Sequence, residues 1–290
     1  MVAIYLRKAH VVLGLCASLV LPLARASEVV DDSFQSAALG RPYKMRLYLP
    51  DAFKSKPQPR LPVIYLLHGS GGDETWWSTR GGAKETLDTL INRGQLRPSI
   101  VVMPANGSNW YVDAPSAKSE SALIGELLPF VEARYRTAQE RSARMIGGLS
   151  MGGYGALNLA LKHADQFCAA MLMSPAVYDP VPPGLSSALR DEPFAIDGRF
   201  DVALWSSHNY PAHLEAYQKQ GKTVSFWIMS GDHDRYGIAL EAAKLYTRLL
   251  SLQPKQVELR IVDGDHEAFV WRDALPDALR YADEQCQRHR

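Results

Sequence analysis

Continuously apolar runs recur along the chain, and each run is bounded by glycine, proline or small polar residues. Several runs do not alternate apolar with polar positions, which is typical of strands that are covered on both faces. The pattern predicts seven strands, at residues 43–49, 61–67, 99–103, 144–146, 168–173, 224–229 and 257–262.

Stretches with helical periodicity separate most of these runs. They predict helices at residues 83–93, 119–134, 151–163, 238–252 and 275–288. Strand alternating with helix predicts an α/β fold with an open, mostly parallel central sheet and helices on both faces. No linker divides the chain, so residues 27–290 are expected to form one domain.

The segment 178–222 differs from the rest because prolines interrupt it repeatedly. We interpret it as an insertion over one end of the sheet. Insertions of this kind often line or cap substrate pockets, although a solvated loop is an equally good interpretation.

The first 26 residues resemble a targeting segment. Arg7 and Lys8 precede an apolar stretch at 11–23, which ends at Ala24-Arg25-Ala26. This pattern predicts a secretory signal that is cleaved after Ala26, and the apolar stretch is shorter than a membrane span requires. The mature protein is therefore expected in the periplasm or the medium, with no membrane attachment.

The net charge of the mature chain bears on which classes of partner the protein can bind. The chain has 32 basic and 31 acidic side chains, and loss of three basic residues with the signal leaves 29 against 31, a formal charge of −2. No block of lysine or arginine remains, which argues against a nucleic-acid partner. The oligomeric state stays open.

Two cysteines, Cys168 and Cys286, remain after cleavage of the signal. They could pair in an oxidising compartment. Cys168 opens a predicted buried strand, however, and this position favours a small core residue. The sequence does not test the geometry of a disulfide, so both alternatives stay open.

The most informative motif is Gly148-Leu149-Ser150-Met151-Gly152, which matches G-x-S-x-G. A predicted strand precedes it and an apolar helix follows it, as in a nucleophile elbow, where a serine projects from a strained strand-to-helix turn. A glycine-rich turn with a helix-capping serine is the alternative. Ser150 is the predicted nucleophile.

A serine nucleophile needs a base and an acidic residue, which follow it in the chain order Ser, Asp or Glu, His in this type of site. His68 precedes the serine and is set aside. His266 follows the last predicted strand and is the predicted base. Asp234 follows the strand at 224–229 and is the predicted acid, with Asp232 as its rival.

Two backbone N–H groups are expected to bind the oxyanion that forms at the ester carbonyl. One belongs to Met151, the residue after the nucleophile. The other is assigned to Ser70, in the glycine-rich loop after the strand at 61–67, with Gly71 as the fallback.

Five aromatic residues lie on or near predicted strand-end loops and could form the walls of a substrate pocket. Ordinary packing is the alternative for each of them. They are Trp76, Trp77, Trp110, Tyr111 and Trp271.

Four segments together resemble one known family: YLLHGSGG, ELLPFVEARYR, IGGLSMGGYGALNLALKHADQF and VDGDHEAFVWRDALP. They are similar to the putative-esterase (esterase D-like) family of α/β-hydrolases. That family includes feruloyl and acetyl-xylan esterases, S-formylglutathione hydrolase, enterochelin esterases and the antigen 85 mycolyltransferases. The resemblance implies an α/β-hydrolase fold from about Ser33 to the C-terminus.

The resemblance also bears on the site. In feruloyl-esterase-like members the acid is the aspartate three positions after a glycine, which falls on Asp234 counted from Gly231. The family's histidine element corresponds to residues 264–267, and its oxyanion loop to residues 68–70. Asp265 replaces a frequent glycine, and residues 163–165 read His-Ala-Asp where members often have His-Pro-Asp.

The sequence thus predicts an exported serine esterase that acts on a small acyl or aryl ester, either a free small molecule or one linked to a polysaccharide. An acyltransferase of the mycolyl type is the main alternative, and a non-catalytic binding protein is a weaker one. The acidic clusters at 232–234 and 263–267 lack the spacing of metal-ligand motifs. We therefore expect no metal and no cofactor.

Overall fold

Six strands, most of them continuously apolar, lie parallel to one another in an eight-stranded sheet. The computed structural model describes residues 27–288. The strands are β1 Glu28–Ser36, β2 Arg41–Leu49, β3 Val63–Leu67, β4 Ile100–Pro104, β5 Arg144–Leu149, β6 Ala169–Met173, β7 Ala195–Ile196, β8 Arg199–Phe200, β9 Ser225–Gly231 and β10 Val257–Val262. The sheet order is β1-β2-β4-β3-β5-β6-β9-β10, with β1 and β2 antiparallel to their neighbours and β7-β8 a separate hairpin.

Helices cover both faces of the sheet. They are α1 Trp76–Thr79, α2 Ala83–Asn92, α3 Ser119–Ser121, α4 Leu128–Tyr135, α5 Met151–Lys162, α6 Val202–His208, α7 Leu214–Lys219, α8 Ile238–Leu252 and α9 Ala268–Arg288, and a π-helical segment, Ala122–Leu127, joins α3 to α4. Helices α4, α5 and α8 pack on one face, and α2 and α9 pack on the other. Within residues 27–288 no helix combines the length and apolarity that a membrane crossing requires.

The predicted α/β fold is confirmed, because the continuously apolar runs form strands that are buried on both faces. Strand β1 was not predicted. It lies at the sheet edge and carries acidic residues between half-buried ones, so no apolar run marks it. Helix α9 begins at Ala268 instead of 275 and continues through Pro276, which the sequence pattern placed near its start.

The segment 178–222 connects β6 to β9 and contains the β7-β8 hairpin, α6 and α7. Its aromatic side chains pack into the fold. Trp205 is fully buried, stacks on Tyr154 of α5 at 5.5 Å between ring centroids, and meets Phe194 at 4.8 Å. The segment is therefore anchored on the main hydrophobic core, to which Phe194 and Trp205 belong.

Cys168 and Cys286 form a disulfide, one of the two alternatives that the sequence left open, and Cys168 is also fully buried in the core. Helix α9 packs on β6 and brings the two Cα atoms to 5.3 Å, a normal separation for a disulfide. The cysteines are 118 residues apart in sequence, so only the tertiary fold reveals their proximity.

Candidate active site

Ser150 lies at the turn between β5 and α5, in a backbone conformation that is rare for a residue with a side chain. Its φ is 54° and its ψ is −119°. Its N–H donates to Met173 O at 2.9 Å and its carbonyl accepts from Ala176 N at 3.1 Å, so the turn is bonded to the end of β6. These bonds hold the strained conformation in place.

Close backbone packing requires glycine beside the serine. A Cβ on Gly152 would lie 2.4 Å from the carbonyl oxygen of Leu67, the last residue of β3. No side chain fits at that distance, so the start of α5 rests directly on the neighbouring strand. This contact fixes the height at which the Ser150 hydroxyl projects.

Ser150, His266 and Asp234 form a continuous hydrogen-bonded chain. The distance from Ser150 Oγ to His266 Nε2 is 2.9 Å, and the distance from His266 Nδ1 to Asp234 Oδ2 is 2.7 Å. The Asp234 side chain is fully buried, and its Oδ1 accepts from Tyr236 N at 3.0 Å. The carboxylate thus sits beneath the imidazole with both oxygens bonded.

Asp232, the rival acid, lies outside this chain. It is exposed, accepts from Gly264 N at 3.1 Å and contacts His233 Nδ1 at 2.7 Å. The Gly264 N–H and the neighbouring His233 hold the pKa of Asp232 below its usual value. Asp232 therefore bonds the histidine-bearing loop, while Asp234 contacts the histidine itself.

The imidazole of His266 is confined between two aromatic rings. The Tyr236 and Trp271 rings meet it edge-on, at 4.7 and 4.8 Å between centroids. Trp271 Nε1 donates to the buried Ser174 Oγ at 3.0 Å, which fixes the indole. Such packing limits rotation of the imidazole and keeps Nε2 directed at Ser150.

A surface ion pair joins the loops that carry the acid and the histidine. Arg235 approaches Asp265 at 2.8 Å, and Asp265 also accepts from the N–H groups of Arg235 and His266. These bonds lower the pKa of Asp265 to about 2, the Arg235 guanidinium contributing most. Asp265 is therefore anionic at any pH near neutrality.

The two predicted oxyanion donors lie beside the serine. Ser70 and Met151 line the same cavity as Ser150, whereas Gly71 lines a neighbouring one. The Met151 N–H belongs to the first turn of α5, where helix N–H groups have no intrahelical partner. The geometry thus favours Ser70 over its fallback.

His68, which sequence reasoning set aside, supports this loop. Its Nδ1 lies 2.8 Å from Gly69 O and its Nε2 accepts from Asn106 N at 3.0 Å, so Nδ1 carries the proton. Burial lowers the pKa of His68 and favours this neutral form. The sequence signal for this supporting role was the pair His68-Gly69 directly after a buried strand. The chain-order argument tested His68 only as a base.

Only one of the five predicted aromatic residues lines the cavity at Ser150. Trp110 does so, with Nε1 donating to Asp191 Oδ2 at 2.7 Å. Trp76 lines the neighbouring cavity instead. The other three are packing residues in the structure: Trp77 is buried with Nε1 bonded to Leu67 O, Tyr111 is buried with its hydroxyl bonded to His68 O, and Trp271 packs on His266.

The cavity at Ser150 has a volume of about 260 Å³. Much of its wall comes from the residues after β6, which include the start of the 178–222 segment. It is lined by Ser70, Trp110, Ser150, Met151, Ala176, Tyr178, Leu185, Ser186, Ser187, Arg190 and Tyr236.

One group of side chains has ligand atoms close enough to share a metal ion. Asp232, His233 and Asp263 place these atoms within 4.8 Å of one another, and all three residues are exposed. Asp234 and His266 are not members of this group, and exposed acidic clusters of this kind are common without a metal.

Comparisons with known proteins agree with this geometry. The model of the family described as "Putative esterase" matches residues 36–282. An esterase of Mycobacterium tuberculosis is 35% identical over 145 residues, which are 47% of this chain and 30% of that protein. An endo-1,4-beta-xylanase/feruloyl esterase of Xylanibacter ruminicola is 34% identical over 157 residues, 51% of this chain and 22% of that protein.

A solved structure of a ferulic acid esterase superimposes with a TM-score of 0.77 and 28% identity, covering 91% of this chain and 100% of that one. The chain spans less than a third of the length of the two curated relatives. The family match nevertheless extends over nearly all of the described fold. The chain therefore belongs to this esterase family of α/β-hydrolases.

Proposed function

We propose that this protein is an exported serine carboxylic-ester hydrolase that uses a Ser150-His266-Asp234 triad and an acyl-enzyme. The observation that carries the proposal is the unbroken hydrogen-bond chain from Ser150 Oγ to the buried Asp234 carboxylate. A serine hydroxyl is a weak nucleophile near neutral pH, and a positioned imidazole with a buried anionic partner is the arrangement that activates it.

In the acylation step, Ser150 Oγ attacks the ester carbonyl while His266 Nε2 accepts the hydroxyl proton. The imidazolium that forms is stabilised by Asp234, which also holds the proton on Nδ1. His266 then gives its proton to the leaving alcohol oxygen as the C–O bond breaks. Water, deprotonated by the same imidazole, hydrolyses the acyl-enzyme and releases the acid.

Negative charge develops on the carbonyl oxygen in both steps. The N–H groups of Met151 and Ser70 are the proposed donors, because both residues border the cavity at Ser150. The amino end of α5 adds a positive potential at the same point. Preorganised donors of this kind are typically worth about 10²-fold or more in rate.

The proposed substrate is a small acyl or aryl ester. The buried Trp110, held by its bond to Asp191, borders the cavity. One relative and one structural neighbour carry feruloyl or ferulic acid esterase in their names, which supports an aryl ester.

Fluorophosphonate labelling tests the proposed nucleophile. The wild-type protein should be labelled, and Ser150→Ala should abolish labelling and lower kcat on p-nitrophenyl and feruloyl esters by about 10⁴-fold or more. Ser251→Ala is the matched control, since its hydroxyl is exposed and bonds only within α8. Labelling of the Ser150→Ala protein would contradict the assignment.

Two observations support export. Residues 1–26, which lie outside the described residues, have the basic and apolar pattern of a signal, and Cys168 and Cys286 form a disulfide. Disulfides persist in oxidising compartments. Cell fractionation followed by N-terminal sequencing should place the protein outside the cytoplasm with Ser27 as its first residue. A protein retained in the cytoplasm with its N-terminus intact would contradict this proposal.

A further inference from the structure

The cavity at Ser150 carries one formal charge. Among the described residues that line it, Arg190 alone has a charged side chain, and the polar remainder are hydroxyls such as those of Ser187 and Tyr236. Arg190 follows a short 3₁₀ turn, Ser187–Leu189, and its N–H donates to Ser187 O at 2.8 Å. The backbone therefore holds Arg190 at the rim of the cavity.

Carboxylates near Arg190 in sequence are bonded to other groups. Asp191 Oδ2 accepts from Trp110 Nε1 and Ser187 Oγ, each at 2.7 Å. Glu192 accepts from the N–H and hydroxyl of Ser116. Between residues 27 and 288, no carboxylate lies within ion-pairing distance of the Arg190 guanidinium.

The Asp234 carboxylate is not a partner of Arg190. Asp234 is fully buried beneath His266, and both of its oxygens already accept hydrogen bonds. The amino end of α5 adds a partial positive charge beside Ser150. The Arg190 guanidinium is therefore the cationic group that lines the cavity, and none of its donors is bonded to another residue between 27 and 288.

We propose that the natural ester carries a carboxylate that Arg190 binds while Ser150 attacks the ester carbonyl. This inference rests on the proposed esterase function. A guanidinium matches a carboxylate in plane and can bind it with two hydrogen bonds. The carboxylate can belong to the acyl group or to the leaving alcohol, and the substrates below separate the two.

The experiment compares each charged ester with a neutral partner of similar shape. Mono(4-nitrophenyl) glutarate against 4-nitrophenyl butyrate places the carboxylate on the acyl side. 4-Acetoxybenzoate against its methyl ester places it on the alcohol side. The measured quantity is the ratio of kcat/KM for the charged ester to that for the neutral ester, determined near neutral pH.

In at least one pair, Arg190→Gln should lower this ratio by about 10-fold, Arg190→Glu should lower it further, and Arg190→Lys should restore part of it. The wild-type ratio should also fall with rising ionic strength, since Arg190 is exposed. Arg199→Gln is the control, because it removes an exposed positive charge from the same segment away from the cavity. Its ratio should equal that of the wild type.

The pair that responds identifies the carboxylate-bearing part of the ester. Ratios that stay equal in the wild type, Arg190→Gln and Arg190→Glu for both pairs would overturn the inference while leaving the esterase intact. A wild-type protein that hydrolyses none of the four esters and resists fluorophosphonate labelling would instead overturn the proposed function.

Discussion

The segments that position Ser150 and His266 are held in different ways. At Ser150 backbone contacts hold the turn, because α5 rests on β3 through Gly152 and the turn is hydrogen-bonded to the end of β6. At His266 the loop also packs closely, with Gly231 against Gly264 O, and it is held in addition by polar side chains, chiefly Asp265 with Arg235, and by aromatic packing. Close backbone contacts fix both segments, and the histidine loop is additionally held by an ion pair and by ring contacts.

This difference separates the sensitivities of the two groups. A steric contact between backbone atoms is indifferent to pH and salt, but tolerates no added atom. An exposed ion pair contributes little free energy and responds to both conditions. Substitutions at the elbow should therefore act by displacing Ser150. Substitutions in the Arg235-Asp265 ion pair should act by lowering the fraction of molecules in which His266 contacts Ser150.

The largest effect is expected at the acid. Asp234→Asn should lower kcat by about 10⁴-fold, because an amide at this position favours the wrong imidazole tautomer. Asp232→Asn should lower kcat by less than about 10-fold, since the amide oxygen can still accept from Gly264 N. Steady-state kinetics of both variants provide the comparison, and equal losses would contradict the assignment of Asp234.

The steric half of the comparison is tested at Gly152. Gly152→Ala places a methyl group against Leu67 O and should displace Ser150, lowering kcat/KM by about 10²-fold or more. Gly125→Ala is the control, because the space around that glycine is open. Circular dichroism verifies folding, and a folded Gly152→Ala protein with wild-type activity would show that the contact does not fix the serine.

A smaller effect is expected at the ion pair. Asp265→Asn should lower kcat/KM by about 3-fold to 10-fold, because His266 keeps its aromatic neighbours but loses a charged anchor. High salt should reduce the activity of the wild type and have less effect on the variant. Asp263→Asn removes a nearly fully exposed carboxylate and serves as the control. Identical salt profiles would exclude the electrostatic role.

The smallest effect concerns stability in acid. The folded-state pKa of Asp265, about 2, lies below its ordinary value of 3.8, so ionised Asp265 stabilises the folded state above about pH 4. That stabilisation is lost as the pH falls toward 2. The difference in urea midpoint between wild type and Asp265→Asn should therefore shrink over this interval, and a constant difference would contradict the shifted pKa.

Much of the fold and of the candidate site could be predicted from the sequence because both depend on local patterns. Apolar runs mark strands buried on both faces, and the carboxyl ends of parallel strands lie together, so the loops with Ser150, Asp234 and His266 were expected to meet. The family match confirms the predicted membership of the esterase family. The proximity of these three loops therefore followed from the parallel topology of the sheet.

Orientation and long-range pairing could not be predicted in this way. Trp77 and Tyr111 lie near the site as expected, yet their side chains turn into the core, where each finds a carbonyl acceptor. Cys168 and Cys286 meet only because α9 crosses β6. His68 was judged by chain order, which says nothing about a histidine that bonds backbone groups.

The connection between β6 and β9 has a further consequence. It begins beside the nucleophile, supplies much of the cavity wall and packs Trp205 into the main hydrophobic core before it returns to the adjacent strand. The cavity wall thus comes largely from this connection, whereas Ser150, Asp234 and His266 lie outside it. We therefore expect that exchange of this connection between relatives changes which esters are preferred and leaves Ser150, His266 and Asp234 in place.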